Sequence, residues 1–203
     1  MKEKTNYSKL VKIFKKNGDY ITREDVDKAY IPSWFLYDFA KKNNLIKISP
    51  GFYASKEYSV DEYYLLQRRY PKFIFAGMSA LYLLSLTDKV VDFFEVVAPE
   101  GYNPSREKNS MLFVRRISDN NKYKLGISSV KTMFGNNVNV YDPERTICDL
   151  IKYRDNYDSE TFIKAIKGYV KKYNNQIKLM NYAKTLGIEK RVFEIMEFVT
   201  NEN

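Results

Sequence analysis

Aromatic and basic side chains at helical spacing are the residues of this sequence that could contact a ligand or another macromolecule. Trp34, Tyr37 and Lys41 lie three or four residues apart, so a helix from Trp34 to about Asn43 would hold them side by side on its surface. Large rings on the polar face of a short helix are costly unless they touch another domain or a ligand. Tyr37 and Lys41 are therefore expected to be exposed, whereas Trp34 is either exposed with them or buried in the core.

The residue types that most enzymes use are missing or lack their partners. Histidine is absent, Cys148 is the single cysteine, and the 8 glycines form no phosphate-binding loop, which excludes histidine-based triads, multi-cysteine zinc sites and the common nucleotide loops. Ser79 has no histidine to activate it, and Cys148 is expected to be a packed thiol. Asp142, Glu144 and Asp149 could be imagined as metal ligands, but helix-capping and surface roles explain them. We predict no catalytic residue, cofactor or metal site, and a protein that is not an enzyme.

Positive charge is concentrated in the first quarter of the chain. The sequence has 34 Lys and Arg against 25 Asp and Glu residues, a net charge of +9. Residues 1–56 contain 12 basic and 6 acidic side chains. Their net charge of +6 is two thirds of the net charge of the whole chain. A local excess of this kind favours binding to a polyanion, although a basic surface can also serve solvation alone.

Three helices are predicted within residues 1–43. The first has an apolar face in which residues recur at helical intervals. In the second, from about Arg23 to Ala29, Thr22 is expected to cap the backbone with Asp25 near the positive end of the helix dipole. Ser33 is expected to cap the third. The predicted core residues are Tyr7, Leu10, Val11 and Phe14 in the first helix, Ile21 and Val26 around the second, and Leu36, Phe39 and Ala40 in the third.

A β-hairpin is predicted directly after these helices. Ile46-Lys47-Ile48 alternates with period two, Ser49-Pro50-Gly51 is a turn, and Phe52-Tyr53-Ala54 resumes an extended run. Three helices followed by a hairpin are typical of a winged helix-turn-helix domain, in which the third helix enters the DNA major groove and the hairpin lies along the backbone or in the minor groove. The residues predicted to contact DNA are Thr22, Arg23, Ser33, Trp34, Tyr37, Lys41, Lys42, Lys47 and Ser49.

The rest of the chain, residues 57–203, is predicted to be a larger mixed α+β domain. Its sheet part, predicted to be antiparallel or mixed, covers about 73–141, and its helical part covers about 142–203. Ser59 and Glu62 are expected to form a capping box for a helix that ends near Pro71, and Asp142 with Pro143 to begin another. The predicted strands are Phe73–Phe75, Val91–Val97, Met111–Ile117, Tyr123–Ile127 and Val138–Tyr141. Three amphipathic helices are predicted after Ser159, and Gly187 is expected to end the second of them. Their predicted apolar faces include Ile163, Ile177, Phe193 and Phe198.

A second basic surface is a weaker possibility in this domain. Residues 106–131 carry seven Lys or Arg side chains against two acids, and basic side chains on neighbouring strands share a face only in a favourable register. Arg68 and Arg69 fall at the end of a predicted helix, where they suit the dipole. The secondary patch consists of Arg68, Arg69, Arg115, Arg116, Lys122 and Lys124.

The sequence resembles AbiEi-type antitoxins, and the resemblance covers nearly the full chain. It rests on the run from Ile31-Pro32-Ser33 through Leu45 to Gly51-Phe52-Tyr53, where a recognition helix leads into a wing with a Gly-x-Tyr at its tip. It continues in the helix starts at Ser79-Ala80-Leu81 and Asp142-Pro143-Glu144-Arg145-Thr146. The family's wing is usually more basic than Lys47 and Ser49 make it here.

The resemblance implies the antitoxin of a bacterial type IV, abortive-infection toxin–antitoxin pair that functions in phage defence. Such a protein represses transcription of its own operon by binding inverted repeats in the promoter, and it counteracts a nucleotidyltransferase-like toxin without a stable complex. A monomer in solution with two copies on DNA is expected.

Two other classes of function stay open. One is a DNA-tethered enzyme with a nucleotide- or metal-using C-terminal domain, and the other is an RNA-binding regulator that uses some of the 18 tyrosines. The sequence has no apolar run long enough for a bilayer span and no apolar segment near Met1 typical of a signal peptide. A cytoplasmic protein without membrane contact is therefore expected.

Overall fold

The computed structural model describes residues 2–58, 61–102 and 111–201. The chain divides into two compact units, an N-terminal unit of Met1–Val60 and a C-terminal unit of Asp61–Asn203. This division falls four residues after the boundary at Lys56 that the sequence suggested. In the described ranges, no helix combines the length and the apolar character needed to cross a bilayer.

Three helices and a three-stranded antiparallel sheet are described in the N-terminal unit. The elements are α1 (Lys2–Lys16), β1 (Tyr20–Thr22), α2 (Arg23–Lys28), α3 (Trp34–Lys42), β2 (Ile46–Ser49) and β3 (Phe52–Ala54). The strands pair in the order β1-β3-β2, and a register shift between Lys47 and Ser49 interrupts the β2–β3 ladder of the hairpin. β1 was not predicted, because three residues are too few to show an alternating pattern, and its pairing with β3 is a long-range contact.

One buried cluster holds this unit together. Leu10 and Phe14 of α1 pack with Leu36 and Phe39 of α3, and the Phe14 and Phe39 rings meet edge to face at 5.8 Å. Ile21, Val26 and Ala40 are buried as predicted. The prediction for Val11 was wrong: its side chain is exposed, and Ile13 packs against the cluster instead.

A mixed five-stranded sheet forms the centre of the C-terminal unit. The strands are β4 (Ile74–Phe75), β5 (Phe94–Pro99), β6 (Leu112–Ile117), β7 (Ile127–Lys131) and β8 (Asn137–Tyr141). Their order in the sheet is β6-β5-β4-β8-β7, with β4–β8 and β5–β6 parallel and the other two pairs antiparallel. The sequence predicted an antiparallel or mixed sheet, and the mixed form is observed.

Seven α-helices are described in this unit: α4 (Glu62–Arg69), α5 (Gly77–Leu83), α6 (Asn120–Lys124), α7 (Pro143–Lys152), α8 (Ser159–Lys172), α9 (Gln176–Leu186) and α10 (Glu189–Asn201). α7 begins as predicted, because Asp142 Oδ1 accepts a hydrogen bond from the Arg145 amide at 2.9 Å and Pro143 is the first helical residue. α9 ends at Gly187 with φ of 70°, a left-handed conformation that favours glycine.

Two local predictions for this unit were wrong. Asp61, and not Ser59, caps α4, since Asp61 Oδ1 accepts from the Tyr64 amide at 3.1 Å; Ser59 lies outside the described residues. The strand expected over Tyr123–Ile127 does not form. Tyr123 and Lys124 belong to helix α6, which Asp119 caps because its Oδ1 accepts from the amides of Asn121 and Lys122, and β7 begins only at Ile127.

The helical face predictions were correct in their main parts and wrong at four positions. A large cluster joins α5, α7, α8, α9 and α10 through residues such as Leu81, Ile147, Ile166, Leu179 and Val192. The exposed exceptions are Ile163, Ile177, Phe193 and Phe198. Each of these helices carries more apolar residues than the part of its surface that packs against the core, so some of them remain exposed.

Candidate nucleic-acid interface

Helix α3 buries one face in the core of the N-terminal unit and exposes aromatic side chains on the other. Leu36 and Phe39 are buried on the inner side. Trp34 is 53% and Tyr37 50% exposed, and Lys41 is exposed on the next turn. The alternative that buries Trp34 in the core is therefore wrong, and α3 presents two large rings to its surroundings.

Both rings rest on other aromatic side chains. The Trp34 ring stacks on Phe35 with 3.8 Å between centroids, and Tyr37 meets Tyr53 of β3 edge to face at 6.1 Å. Phe35 and Tyr53 are buried. Aromatic pairs in such geometry are stabilising beyond the area they bury, so the exposed rings have firm support from the core and the hairpin.

Two lysines beside these rings are available for an anion. Lys41 and Lys47 are exposed, and neither forms an ion pair with a described residue. Lys42 differs, because its Nζ lies 2.7 Å from Asp38 Oδ2 on the same helix. Lys47 stands opposite Tyr53 in the β2–β3 register, and Tyr53 supports Tyr37. The two lysines therefore lie on the same elements as the exposed rings or on the adjoining hairpin: Lys41 on α3 with Trp34 and Tyr37, and Lys47 on β2.

Thr22 does not belong to this surface. It is 1% exposed, its hydroxyl accepts from the Asp25 amide at 3.2 Å, and its own amide donates to Asp25 Oδ2 at 2.9 Å. The predicted capping box is thereby confirmed, and the same bonds leave no group of Thr22 for the DNA contact that the sequence analysis assigned to it.

Arg23 connects α2 to the hairpin turn. Its amide donates to the Gly51 carbonyl at 2.7 Å, and its side chain is exposed with Nε 3.5 Å from Asp27 Oδ1. Gly51 has φ of 74°, and a Cβ there would lie 3.0 Å from Arg23 Cβ, so this close approach favours glycine. Arg23 therefore stands beside the turn of the predicted wing.

Ser33 and Ser49 are the two serines that were predicted to contact DNA. Ser33 is half-buried and helical in conformation, and its side chain makes no capping hydrogen bond, so the prediction that it caps α3 was wrong. Ser49 is the last residue of β2, and its side chain lies outside the described residues.

Sequence reasoning missed one large exposed ring in this unit. Tyr30 is 95% exposed and has φ of 55°, a conformation that is unusual for a bulky residue. It lies in the turn between α2 and α3. The exposure of this tyrosine had no signal in the sequence.

The secondary basic patch does not form as predicted. Arg115 Nη2 lies 2.7 Å from Asp149 Oδ2, and its guanidinium lies 4.1 Å from the centroid of the Tyr153 ring. Asp149 Oδ1 also lies 3.2 Å from Nε of Arg145, whose side chain is 1% exposed. Arg115 thus belongs to a largely buried ion network, and the nearby Asp149 raises its pKa against the opposing effect of desolvation.

The remaining members of the patch lie on separate elements. Arg68 and Arg69 are in the last turn of α4, where their guanidinium groups approach the Tyr64 and Tyr70 rings. Arg116 is on β6, while Lys122 and Lys124 are on helix α6 and not on a strand. The strand register that would have aligned them is absent because α6 replaces the expected strand. Arg106 and Lys108, which the wider basic segment included, lie outside the described residues.

The acids of α7 are buried and paired, which corrects the surface role predicted for Glu144 and Asp149. Lys178 Nζ lies 3.0 Å from Asp142 Oδ2 and 2.9 Å from Glu144 Oε2, and these contacts raise the pKa of Lys178 although partial burial opposes the shift. In the described ranges, no group of three or more Cys, Asp and Glu side chains has an arrangement that could hold a metal ion.

A cleft of about 260 Å³ lies beside the Arg115 network. It is lined in part by Glu95, Tyr157 and Phe113. Glu95 accepts a hydrogen bond from the Met78 amide, and burial raises the pKa of both Glu95 and Tyr157. Ser79 Oγ accepts from the Glu95 amide at 2.9 Å, so Ser79 connects α5 to β5.

The fold has a precedent among solved structures. No family model and no curated protein matches the sequence. The crystal structure of the RV2827C protein from Mycobacterium tuberculosis is similar, with a TM-score of 0.55 and 15% identity over 89% of this chain and 71% of that chain. Since neither unit alone makes up 89% of the chain, the likeness includes residues of both. At this identity it concerns the fold alone.

Proposed function

We propose that the N-terminal unit is a winged helix-turn-helix that binds double-stranded DNA. The observation that carries the proposal is the outer face of α3, where Trp34 and Tyr37 are half exposed and Lys41 forms no ion pair with any residue that the structure describes. Tryptophan and tyrosine are enriched at interfaces, because each combines a large apolar ring with a polar group that can reach a partner. The order of helices and hairpin agrees with this module.

In the proposed complex, α3 enters the major groove and the β2–β3 hairpin follows the backbone. Trp34 and Tyr37 then face base edges, while Lys41 and Lys47 contact phosphates. Arg23 reaches the backbone from the start of α2, next to the hairpin turn. Phosphate contacts set position and orientation, and groove contacts select sequence.

Replacing Lys41 and Lys47 by alanine tests the proposed phosphate contacts. The double variant Lys41→Ala/Lys47→Ala is expected to bind duplex DNA more weakly, and the slope of log affinity against log salt is expected to fall by about one for each lost phosphate contact. The measurement is fluorescence anisotropy of a labelled duplex over a range of salt concentrations, with circular dichroism as the check on folding.

The matched control removes the same charge elsewhere in the unit. Lys9 and Lys12 on α1 are exposed and form no ion pair with a described residue. Lys9→Ala/Lys12→Ala is expected to keep the wild-type salt slope. Equal losses in both double variants would mean that only net charge matters, and wild-type binding by Lys41→Ala/Lys47→Ala would overturn the docking. Excess single-stranded RNA should not displace the duplex.

We further propose that the whole chain is an antitoxin and autorepressor of the type IV, abortive-infection class. This rests on the resemblance of its motifs to AbiEi-type antitoxins, in which the N-terminal module binds inverted repeats in the promoter. The C-terminal unit would contribute to neutralising a nucleotidyltransferase-like toxin, and two chains would occupy the two halves of the repeat.

Co-expression tests the antitoxin role separately from DNA binding. The neighbouring gene of the operon is expected to encode a nucleotidyltransferase whose expression stops growth, and the full chain should restore growth. The Lys41→Ala/Lys47→Ala variant should still restore it while it fails to repress a promoter–reporter fusion. No rescue by the wild-type chain would refute the antitoxin role.

A further inference from the structure

We infer that the α3 surface selects its DNA site through apolar contact with thymine methyl groups, and this inference rests on the proposed function. The observation is the chemical composition of the exposed face. The first two turns of α3, which meet base edges in helix-turn-helix docking, present Trp34 and Tyr37 as their large exposed side chains. Neither ring can form the paired hydrogen bonds by which proteins read guanine or adenine.

Of the side chains suited to paired hydrogen bonds, helix α3 itself carries two lysines, Lys41 and Lys42, and no arginine, asparagine or glutamine. Arginine or lysine reads guanine with two bonds, and asparagine or glutamine reads adenine. Residues 1–60 contain one arginine, Arg23, and no glutamine. Asn43 is already engaged, since its Nδ2 donates to the Phe39 carbonyl at 2.8 Å and to the Tyr7 hydroxyl at 2.9 Å.

The charged side chains of α3 do not supply the paired hydrogen bonds that read guanine or adenine. Asp38 is paired with Lys42 at 2.7 Å, so this acid is occupied by a neighbour on its own helix. Lys41 lies in the last turn of α3. Because the N-terminal residues of a recognition helix contact the base edges, a lysine in the last turn is better placed to contact a phosphate than a base. The exposed rings are therefore the main groups that can distinguish one base pair from another.

Thymine offers the feature that such rings can detect. Its C5-methyl group projects into the major groove, where apolar side chains contact it. The stacking of Trp34 on Phe35 and the edge contact of Tyr37 with Tyr53 limit the freedom of both rings, so a methyl contact would lose little further side-chain entropy. The site is thus expected to contain A·T pairs whose thymines face α3.

A chemical change in the DNA tests this without altering the protein. The full chain first selects duplexes from a random 20-base-pair library, and the selected duplex is then synthesised with deoxyuridine in place of individual thymidines. Deoxyuridine keeps every hydrogen-bonding group and lacks only the methyl. Each contacted methyl should account for about a fourfold loss of affinity.

Protein variants assign the effect to the rings. Trp34→Ala and Tyr37→Ala should each abolish the sensitivity to deoxyuridine at particular positions. Tyr37→Phe should retain it, because the ring remains and only the hydroxyl is lost. Phe198→Ala, which removes an exposed ring in the C-terminal unit, is the matched control and should behave as the wild-type chain.

The possible results separate the two proposals. If the chain binds its selected duplex and the fully deoxyuridine-substituted version equally well, thymine readout is wrong while DNA binding stands. If no duplex is enriched from the library, the proposed function itself fails and the inference fails with it. Losses at defined thymines that disappear in Trp34→Ala or Tyr37→Ala establish the readout.

Discussion

A single carboxylate, that of Asp149, stabilises two guanidinium groups in the C-terminal unit. Its side chain is 3% exposed and lies within 3.2 Å of Arg145 and 2.7 Å of Arg115. Arg145 also donates to the carbonyls of Lys122 and Leu125 at 2.6 and 2.9 Å. The network therefore joins α7 to β6, to α6 and to Leu125, the residue that follows α6.

Asp149→Asn is expected to lower the free energy of unfolding of this unit by about 3 kcal/mol, at the lower end of the range for a broken buried pair. The carbonyl bonds of Arg145 remain, which limits the loss, but its charge would be buried without a counter-ion. Urea unfolding followed by circular dichroism measures the change. Asp155→Asn, an exposed acid after the same helix, is the control and should be neutral. A loss below about 1 kcal/mol for Asp149→Asn would show that solvent screens the pair.

Burial makes Cys148 an unreactive thiol in the native state. It is fully buried, and burial raises its pKa from an ordinary value of 9.0 to about 12. The native state thus holds its proton more tightly than the unfolded state. The corresponding stabilisation is complete below about pH 9 and is lost as the pH rises towards 12.

A disulfide reagent such as DTNB should therefore label Cys148 only after unfolding. At pH 8 without denaturant the expected reaction is negligible, and in denaturant one equivalent of thiol should react at once, because the thiolate is the nucleophile and needs access. Rapid labelling of the native chain would contradict the packed environment described for this residue.

At the scale of elements, Thr22 and Ser33 form a natural pair for measuring helix capping. Both precede a helix in the N-terminal unit, yet Thr22 bonds the Asp25 amide while Ser33 makes no capping bond. Thr22→Ala should cost about 1 to 2 kcal/mol, and Ser33→Ala should stay within about 0.5 kcal/mol. Trp34 is the only tryptophan of the chain, so its fluorescence reports unfolding of this unit. Equal costs for the two variants would argue against the assigned capping geometry.

Local signals predicted the elements whose hydrogen bonds lie within a few residues. The Thr22–Asp25 box, the Asp142–Pro143 helix start and the Gly187 stop are such cases, and all three are observed. Ser33 had the right residue type for a cap, but residue type alone does not determine whether the side chain turns towards the helix.

Features that depend on distant partners escaped prediction. β1 exists because β3 pairs with it, and the buried acids Glu144 and Asp149 of α7 have charged partners on distant elements, Lys178 on α9 and Arg115 on β6. For the candidate interface, helical spacing predicted the exposure of Tyr37 and Lys41. It could not decide between a buried and an exposed Trp34, because that depends on how far α3 is rotated against α1.

For the molecule as a whole, each unit has a hydrophobic core of its own. Leu10, Leu36 and Phe39 belong to the cluster of the N-terminal unit, and three further clusters lie in the C-terminal unit. Unit-specific cores predict two unfolding transitions that need not coincide. Trp34 fluorescence should follow the first unit and Cys148 labelling the second.

Separate cores also allow the source of DNA affinity to be assigned by fragments. Residues 1–56 carry two thirds of the net positive charge, and the secondary patch is dispersed over α4, β6 and α6, with Arg115 neutralised by Asp149. A fragment of residues 1–60 should therefore bind the selected duplex with the salt slope of the full chain, because the slope counts phosphate contacts. Residues 61–203 alone should not bind it. A smaller slope for the 1–60 fragment would instead assign some phosphate contacts to exposed cations of the C-terminal unit, with Lys124 on α6 as the first to be replaced by alanine.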